Sequence, residues 1–264
     1  MKSPALEIES LSFSVNGVSI LKDVSLRIGA GQNWSIIGAN GAGKSTLLKC
    51  LIRIHGDWTG KISLFDRSIR EYSQRALARR VAYVPQPGGD QRFPFTVRQF
   101  TALGRYAYSG MFGTARADDP AVVNRAMERA GVEAFADRTL GTLSGGERQK
   151  VFIAAALAQQ GDILLLDEPT AFLDYRQRAG VSRILRRLNR DDGTTVVTVT
   201  HDVNTAILAG GNVLALREGA VAWTGRAGDL TRPGRLEDIF KTPFRFIDDP
   251  VSGRRLVAPQ EVSR

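Results

Sequence analysis

The chain of 264 residues carries 36 Lys and Arg against 27 Asp and Glu, a formal net charge of +9 and a pI of about 10.1. With 43% hydrophobic and 24% charged residues, it has the composition of a globular chain of one or two domains and not of a disordered, fibrous or coiled-coil one. The single cysteine, Cys50, excludes an internal disulfide and argues against a zinc site. No stretch approaches the roughly 20 apolar residues that cross a bilayer. Residues 1–10 place Glu7 and Glu9 where a signal peptide needs apolar side chains, so a cytoplasmic protein is expected. The positive balance suits nucleic acid, anionic lipid or phosphorylated ligands alike and selects none of them.

Residues 6–13 alternate imperfectly, Asn16 and Gly17 mark a turn, and residues 18–28 continue with β-branched side chains, which predicts a β-hairpin or small antiparallel sheet. The apolar run WSII at 34–37 feeds a glycine-rich turn, after which Leu47, Leu48, Leu51 and Ile54 recur at helical spacing over residues 44–54. A short strand at 81–84 ends at Pro85. Residues from about 87 to 113 read as irregular before helices resume near Val97, and Val122, Val123, Ala126, Met127 and Ala130 form one helical face that Gly131 interrupts. Residues of roughly 87–160 thus read as a helical insertion. Beyond it, strands at 163–167, 194–200 and 213–216 alternate with helices at 174–190 and 202–209, the pattern of right-handed βαβ units and a buried, mainly parallel sheet. Residues 244–264, with turns at Asp249-Pro250 and Ser252-Gly253, read as a small appendage. The expected fold class is α/β.

The segment GANGAGKST at 38–46 has the spacing G-x-x-x-x-G-K-[ST], with Gly38, Gly43, Lys44 and Ser45 in the defining places. Consecutive backbone N–H groups turn inward around phosphate oxygens only where side chains do not obstruct the turn, hence the glycines. Lys44 would neutralise phosphate charge, Ser45 would offer a hydroxyl to Mg²⁺, and the following helix points its positive end at the anion. The plainer reading is a glycine turn that caps a helix. The run ILLLDE at 163–168 ends an apolar strand on two carboxylates, Asp167 suited to a Mg²⁺-water anchor and Glu168 to a general base. Alone, such acids commonly sit in a solvated loop; beside the glycine loop the chemical reading prevails. A third element, LSGGE at 143–147, sets Ser144, Gly145, Gly146 and Glu147 at a second helix start, again an anion-binding geometry.

With these three elements in this order, the chain resembles the ATP-binding subunit of an ATP-binding cassette (ABC) transporter over nearly its whole length. The resemblance implies a P-loop NTPase cassette of one domain over residues 1–264, with a mainly parallel core sheet and an N-terminal antiparallel β subdomain. A helical subdomain of roughly 87–160 and a C-terminal appendage of roughly 243–264 complete it. It implies ATP and Mg²⁺ as ligands, with Gly38, Ala39, Asn40, Gly41, Ala42, Gly43, Lys44, Ser45 and Thr46 around the nucleotide and Ser45, Gln86 and Asp167 toward the metal. Glu168, His201 and Gln86 are the implied catalytic residues, and Asp174 is the implied D-loop aspartate. Ser144, Gly145, Gly146 and Glu147 would close on the ATP of a second copy in a head-to-tail dimer. The further partners implied are integral-membrane permease subunits and, indirectly, a cargo-binding protein, which puts the chain on the cytoplasmic face of the membrane as a peripheral subunit. Val15 falls where members usually carry an aromatic that stacks on adenine, so stacking is expected to be weakened or borrowed from Phe13.

The segments TVRQFTALGRYAYSGMFG at 96–113 and EPTAFLDY at 168–175, with Gly219, Gly225, Asp249-Pro250 and Gly253-Arg254-Arg255, resemble the subgroup that imports iron–siderophore complexes, haem or cobalamin. The alternative is a soluble ABC ATPase acting on nucleic acid or in another non-transport process. It is disfavoured because Lys44 and Ser144 lie only 100 positions apart and each motif occurs once. Arg176, Arg178, Arg183, Arg186, Arg187 and Arg190 on the helix at 174–190 read either as a solvated basic face or as an attraction to anionic headgroups. Cys50, Trp34, Trp58 and Trp223 read as packing residues.

Overall fold

Alternating apolar residues at the N-terminus build a long hairpin in which β1 (Pro4–Val15) and β2 (Val18–Gly29) pair antiparallel around Asn16 and Gly17, both at positive φ. Leu6, Ile8, Leu11 and Phe13 of β1 and Leu21, Val24, Leu26 and Ile28 of β2 are buried. The computed structural model describes residues 3–86, 94–109, 116–250 and 253–259. It divides into two units, Met1–Ile69 with Val197–Arg264 and Arg70–Val196.

In the first unit the chain continues through β3 (Asn33–Ile37), α1 (Lys44–Leu51), β4 (Thr59–Leu64) and β5 (Arg67–Ser68). β4 pairs antiparallel with β1 and β5 with β4, which extends the hairpin to a four-stranded sheet. Helix α1 stops at Leu51 and not at Ile54: Ile52 is its C-cap, Arg53 has φ +57°, and Ile54 is exposed. Cys50 and Trp58 are core residues, and burial pushes the Cys50 thiol up to about 12.

The second unit holds α2 (Gln74–Ala78), β6 (Val81–Val84), α3 (Val97–Leu103), α4 (Asp119–Ala130), α5 (Gly145–Ala158), β7 (Ile163–Asp167) and α6 (Tyr175–Arg190). β6 and β7 run parallel, and β7 is buried at every position, as a strand covered on both faces requires. Helices α3 to α5 make up the helical insertion and share a core of Val97, Phe100, Val123, Met127, Leu140, Val151 and Ala154. The irregular stretch is in part a capped helix: Thr96 accepts from Gln99 N while the Gln99 side chain accepts from Thr96 N. Residues 87–93 and 110–115, which carry the rest of that stretch, lie outside the described residues. A buried ion pair, Arg105 Nε to Asp119 Oδ1 at 2.7 Å, ties the end of α3 to the start of α4, and Arg105 Nη1 donates to Ala158 O at 2.9 Å. Burial alone would raise the Asp119 carboxyl, but hydrogen bonds from Arg105 and from the Arg116 N–H hold it below its usual value.

The chain returns through β8 (Thr195–Val199), α7 (Val203–Ala209), β9 (Asn212–Arg217), β10 (Ala220–Arg226), α8 (Arg235–Phe240), β11 (Phe244–Asp249) and β12 (Arg254–Pro259). In the first unit β3 lies parallel to β9, with Trp34 to Ile37 opposite Asn212 to Ala215, and β10 closes the ladder antiparallel to β9. Ile37, Val203, Ile207, Val213, Leu230, Leu236 and Ile239 form a core beneath them. The C-terminal appendage is an antiparallel hairpin of β11 and β12 in unbroken register; Ser252 of its expected turn lies outside the described residues. Parallel β3·β9 and β6·β7 pairs with intervening helices, beside an antiparallel N-terminal sheet, make the fold α/β.

Candidate functional site

The glycine loop leaves β3 at Ile37 and enters α1 at Lys44. Gly38, Gly41 and Gly43 have φ of +151°, +80° and +95°, and two of them are also sterically pinned. A Cβ on Gly38 would stand 2.3 Å from Leu216 O, and one on Gly43 2.8 Å from Leu21 Cδ2 and 2.9 Å from Ile20 O. Gly41 meets nothing within 4 Å and is required by its φ alone. Ala39, Asn40 and Gly41 are exposed and Ala42 is buried. The Lys44 ammonium is buried within this loop and donates to Gly38 O and Ala39 O, each at 2.9 Å. Ser45 and Thr46 lie half-buried in the first turn of α1, which opens on Gly43 and so receives no side-chain cap. A cradle that a Cβ would fill, a buried cation and uncapped helix N–H groups together suit a polyphosphate.

Two further expected residues stand in this unit. His201 is exposed just beyond β8, where Thr200 N donates to Ile36 O at 3.0 Å, and Asp202 caps α7 by accepting from Asn204 N at 2.9 Å. The histidine is therefore held between a strand end beside β3 and a capped helix. Val15 is 44% exposed at the end of β1. Phe13 is buried and stacked on His55 at 4.8 Å with 22° between the rings, so the expectation that it lends its face to a ligand does not hold.

The remaining expected residues stand in the second unit. Gln86 is exposed two positions past β6. Asp167 ends β7, is 2% exposed, and accepts from the Tyr83 hydroxyl at 3.4 Å; burial and then the Asp167 charge push the Tyr83 phenol up. Tyr83 is a neighbour that the sequence reading missed, because only the pairing of β6 with β7 brings it there. Glu168 is half-buried with φ +47°, and Phe172 has φ +61°, so the segment after the two carboxylates is bracketed by two left-handed non-glycine residues.

Ser144 and Gly145 are exposed at the start of α5, where Ser144 Oγ accepts from Glu147 N at 3.3 Å and Ser144 N donates to the Glu147 carboxylate at 2.8 Å. That backbone donor holds Glu147 below the usual carboxylate range. Asp174 caps α6 in the same way, accepting from Gln177 N at 2.7 Å. The helix therefore starts at Tyr175, one residue later than its sequence pattern. Ser144, Gly146, Glu147 and Asp174 line one cavity of about 590 Å³ together with Lys150, Arg176 and Arg183. The structure thus brings the LSGGE segment and Asp174 together within this unit.

Residues 21–171 match the family described as ABC transporter, a span that includes the glycine loop, Gln86, the LSGGE segment, Asp167 and Glu168. The ferric enterobactin transport ATP-binding protein FepC of Escherichia coli (strain K12) is 36% identical over 254 residues, which cover 95% of this chain and 92% of that protein. The hemin import ATP-binding protein HmuV of Rhodococcus jostii (strain RHA1) is 38% identical over 260 residues, 98% of this chain and 87% of that one. Among solved structures, a transporter described as of the metal-chelate ABC type, in an inward-facing conformation, superposes with a TM-score of 0.84 at 27% identity over 98% of each chain. The chain belongs to the ABC transporter family, as an ATP-hydrolysing subunit.

Proposed function

We propose that this chain drives a membrane permease for import of an iron chelate, haem or cobalamin, working as a peripheral subunit on the cytoplasmic face of the membrane. The observation that carries the ATP chemistry is the buried Lys44 ammonium, held by two loop carbonyls inside a cradle that side chains would fill. The cargo class is supported by the ferric enterobactin and hemin roles of FepC and HmuV. Among the described residues no helix is long and apolar enough to cross a membrane. The whole chain, residues 1–264, acts in this reading as one ATP-binding domain.

Residues 38–46 wrap the phosphates of ATP, Lys44 neutralises their charge, and Val15 lies against adenine. The Ser45 hydroxyl, the Asp167 carboxylate and the Gln86 amide oxygen are hard oxygen donors of the kind Mg²⁺ takes, and when bound the ion supplies charge compensation for the phosphates. Glu168 accepts a proton from the attacking water as its oxygen bonds to the γ-phosphorus and the bond to the β-phosphate oxygen breaks, releasing ADP. His201 contacts the γ-phosphate. Two copies associate head to tail, with Ser144, Gly145, Gly146 and Glu147 of one closing on ATP held by the other and Asp174 at the contact; hydrolysis reopens the pair.

Nucleotide binding and hydrolysis by the purified chain test this reading. Lys44→Ala is expected to lose both, and Glu168→Gln to keep binding while losing turnover at least 100-fold, within the usual contribution of a general base. Undiminished turnover in Glu168→Gln would place the base elsewhere. Titration with nucleic acid at several salt concentrations tests the nucleic-acid form of the soluble alternative, which requires saturable affinity that falls steeply with salt.

A further inference from the structure

Two glycine–arginine segments of the C-terminal region have no part in nucleotide chemistry, Gly225-Arg226 and Gly253-Arg254-Arg255. Their arginines line one cavity of about 460 Å³ in the first unit. The wall of this cavity contains Arg226, Arg254 and Arg255, glycine backbone including Gly210 and Gly228, and, among the described residues, no carboxylate. Ordinary packing accounts for part of the charge. Arg254 Nη1 donates to Ile207 O at 2.7 Å and to Leu208 O, closing the C-terminal end of α7, so its position is structural. Arg255 pairs with exposed Asp248 at 3.0 Å, an interaction that contributes little to stability. Arg226 makes no hydrogen bond or ion pair with its side chain among the described residues.

A solvated arginine on a convex surface needs no partner. Here three guanidiniums share a concave space of ligand size with a glycine wall, and the one acid paired with them, exposed Asp248 on Arg255, is not among the lining residues. Guanidiniums beside glycine backbone recognise phosphate by forked hydrogen bonds and close backbone approach. Gly210 in this wall has φ +71°, and an added Cβ would lie 3.8 Å from Arg254 Nη2, in ordinary van der Waals contact. We propose that this cavity binds a phosphate-bearing ligand, with Arg226 and Arg255 gripping the phosphate and Arg254 fixing the wall.

The glycine loop at Lys44 is itself a phosphate site, so the test uses the full-length Lys44→Ala chain without Mg²⁺ and titrates it calorimetrically with inorganic pyrophosphate. One saturable site per chain is expected, weakened at least tenfold in Arg226→Gln/Arg255→Gln. Gly228→Glu gives an independent check, because an added Cβ there meets nothing within 4 Å. It should abolish binding while Gly228→Gln retains it, with thermal melts of the ligand-free variants unchanged. Flotation with phosphatidic acid vesicles separates the sources: arginine-dependent vesicle binding assigns a lipid headgroup, and pyrophosphate binding without it assigns a free phosphate compound. Failure of both probes, or binding indifferent to Arg226, Arg255 and Gly228, overturns the proposal.

Discussion

A Cβ built on Gly146 would stand 2.5 Å from both Cγ and Cδ of Gln177 and 2.9 Å from its Cβ. Gly146 is the second residue of α5 and Gln177 completes the capping box of α6, so two helix starts interlock at a position where only glycine fits. Gly146→Ala is expected to destabilise the chain by about 1–3 kcal/mol, the usual cost of overpacking, and to lower ATP hydrolysis. Adding Gln177→Ala should recover part of the stability in thermal denaturation. A Gly146→Ala protein as stable and active as the parent would contradict the steric account.

Ser144 serves α5 as its N-cap, and the proposed dimer needs the same residue for ATP held by the other copy. Ser144→Ala should cost about 1 kcal/mol of stability through the lost cap. Ser144→Arg should abolish hydrolysis while each chain still binds nucleotide in equilibrium binding. Collapse of nucleotide binding in that variant would argue against a site shared across the dimer.

Asp119 is the charge partner of buried Arg105, and Asp119→Asn should cost about 3–5 kcal/mol by leaving that guanidinium uncompensated. Because the Asp119 carboxyl is held below 3.8 in the folded chain, its stabilisation is full above that value and fades as the pH falls through the folded value. Denaturation midpoints followed from pH 7 to pH 3 should therefore drop more steeply in the parent than in Asp119→Asn. Parallel curves would show that the pair has no such linkage.

With Val15 exposed and Phe13 committed to His55, the chain is expected to prefer ATP over GTP only weakly in equal competition. Val15→Phe should strengthen ATP binding by about 0.5–1.5 kcal/mol through stacking. Phe13→Ala should lower stability and leave the nucleotide preference as it is. A strong ATP preference in the parent that survives Phe13→Ala would contradict this account.

The sequence made the glycine loop, the carboxylates after 163–166 and the LSGGE segment legible because each is a contiguous run whose chemistry demands its residue types. A mainly parallel sheet was legible from short apolar runs between helices, whereas the partners within it, β3 with β9 and β6 with β7, were not. What escaped was short or tertiary. Strand β4 begins Thr-Gly-Lys and shows no alternation at its start, while α2 and α8, of five and six residues, are too short for helical periodicity. Asp174 and Asp202 each act as caps, so α6 and α7 begin one residue after their apparent starts. The Tyr83–Asp167, Arg105–Asp119, Gly146–Gln177 and Phe13–His55 relationships join residues 14 to 84 positions apart, and no local pattern announces such contacts.

The claim that this ATPase powers a membrane permease is tested most directly by affinity capture of tagged Glu168→Gln from its native cells, after solubilising membranes in mild detergent with ATP, and identification of what co-purifies. The account predicts a very apolar multispanning permease, retained with ATP and lost when Lys44→Ala is added. Recovery of only soluble proteins or nucleic acid would contradict it.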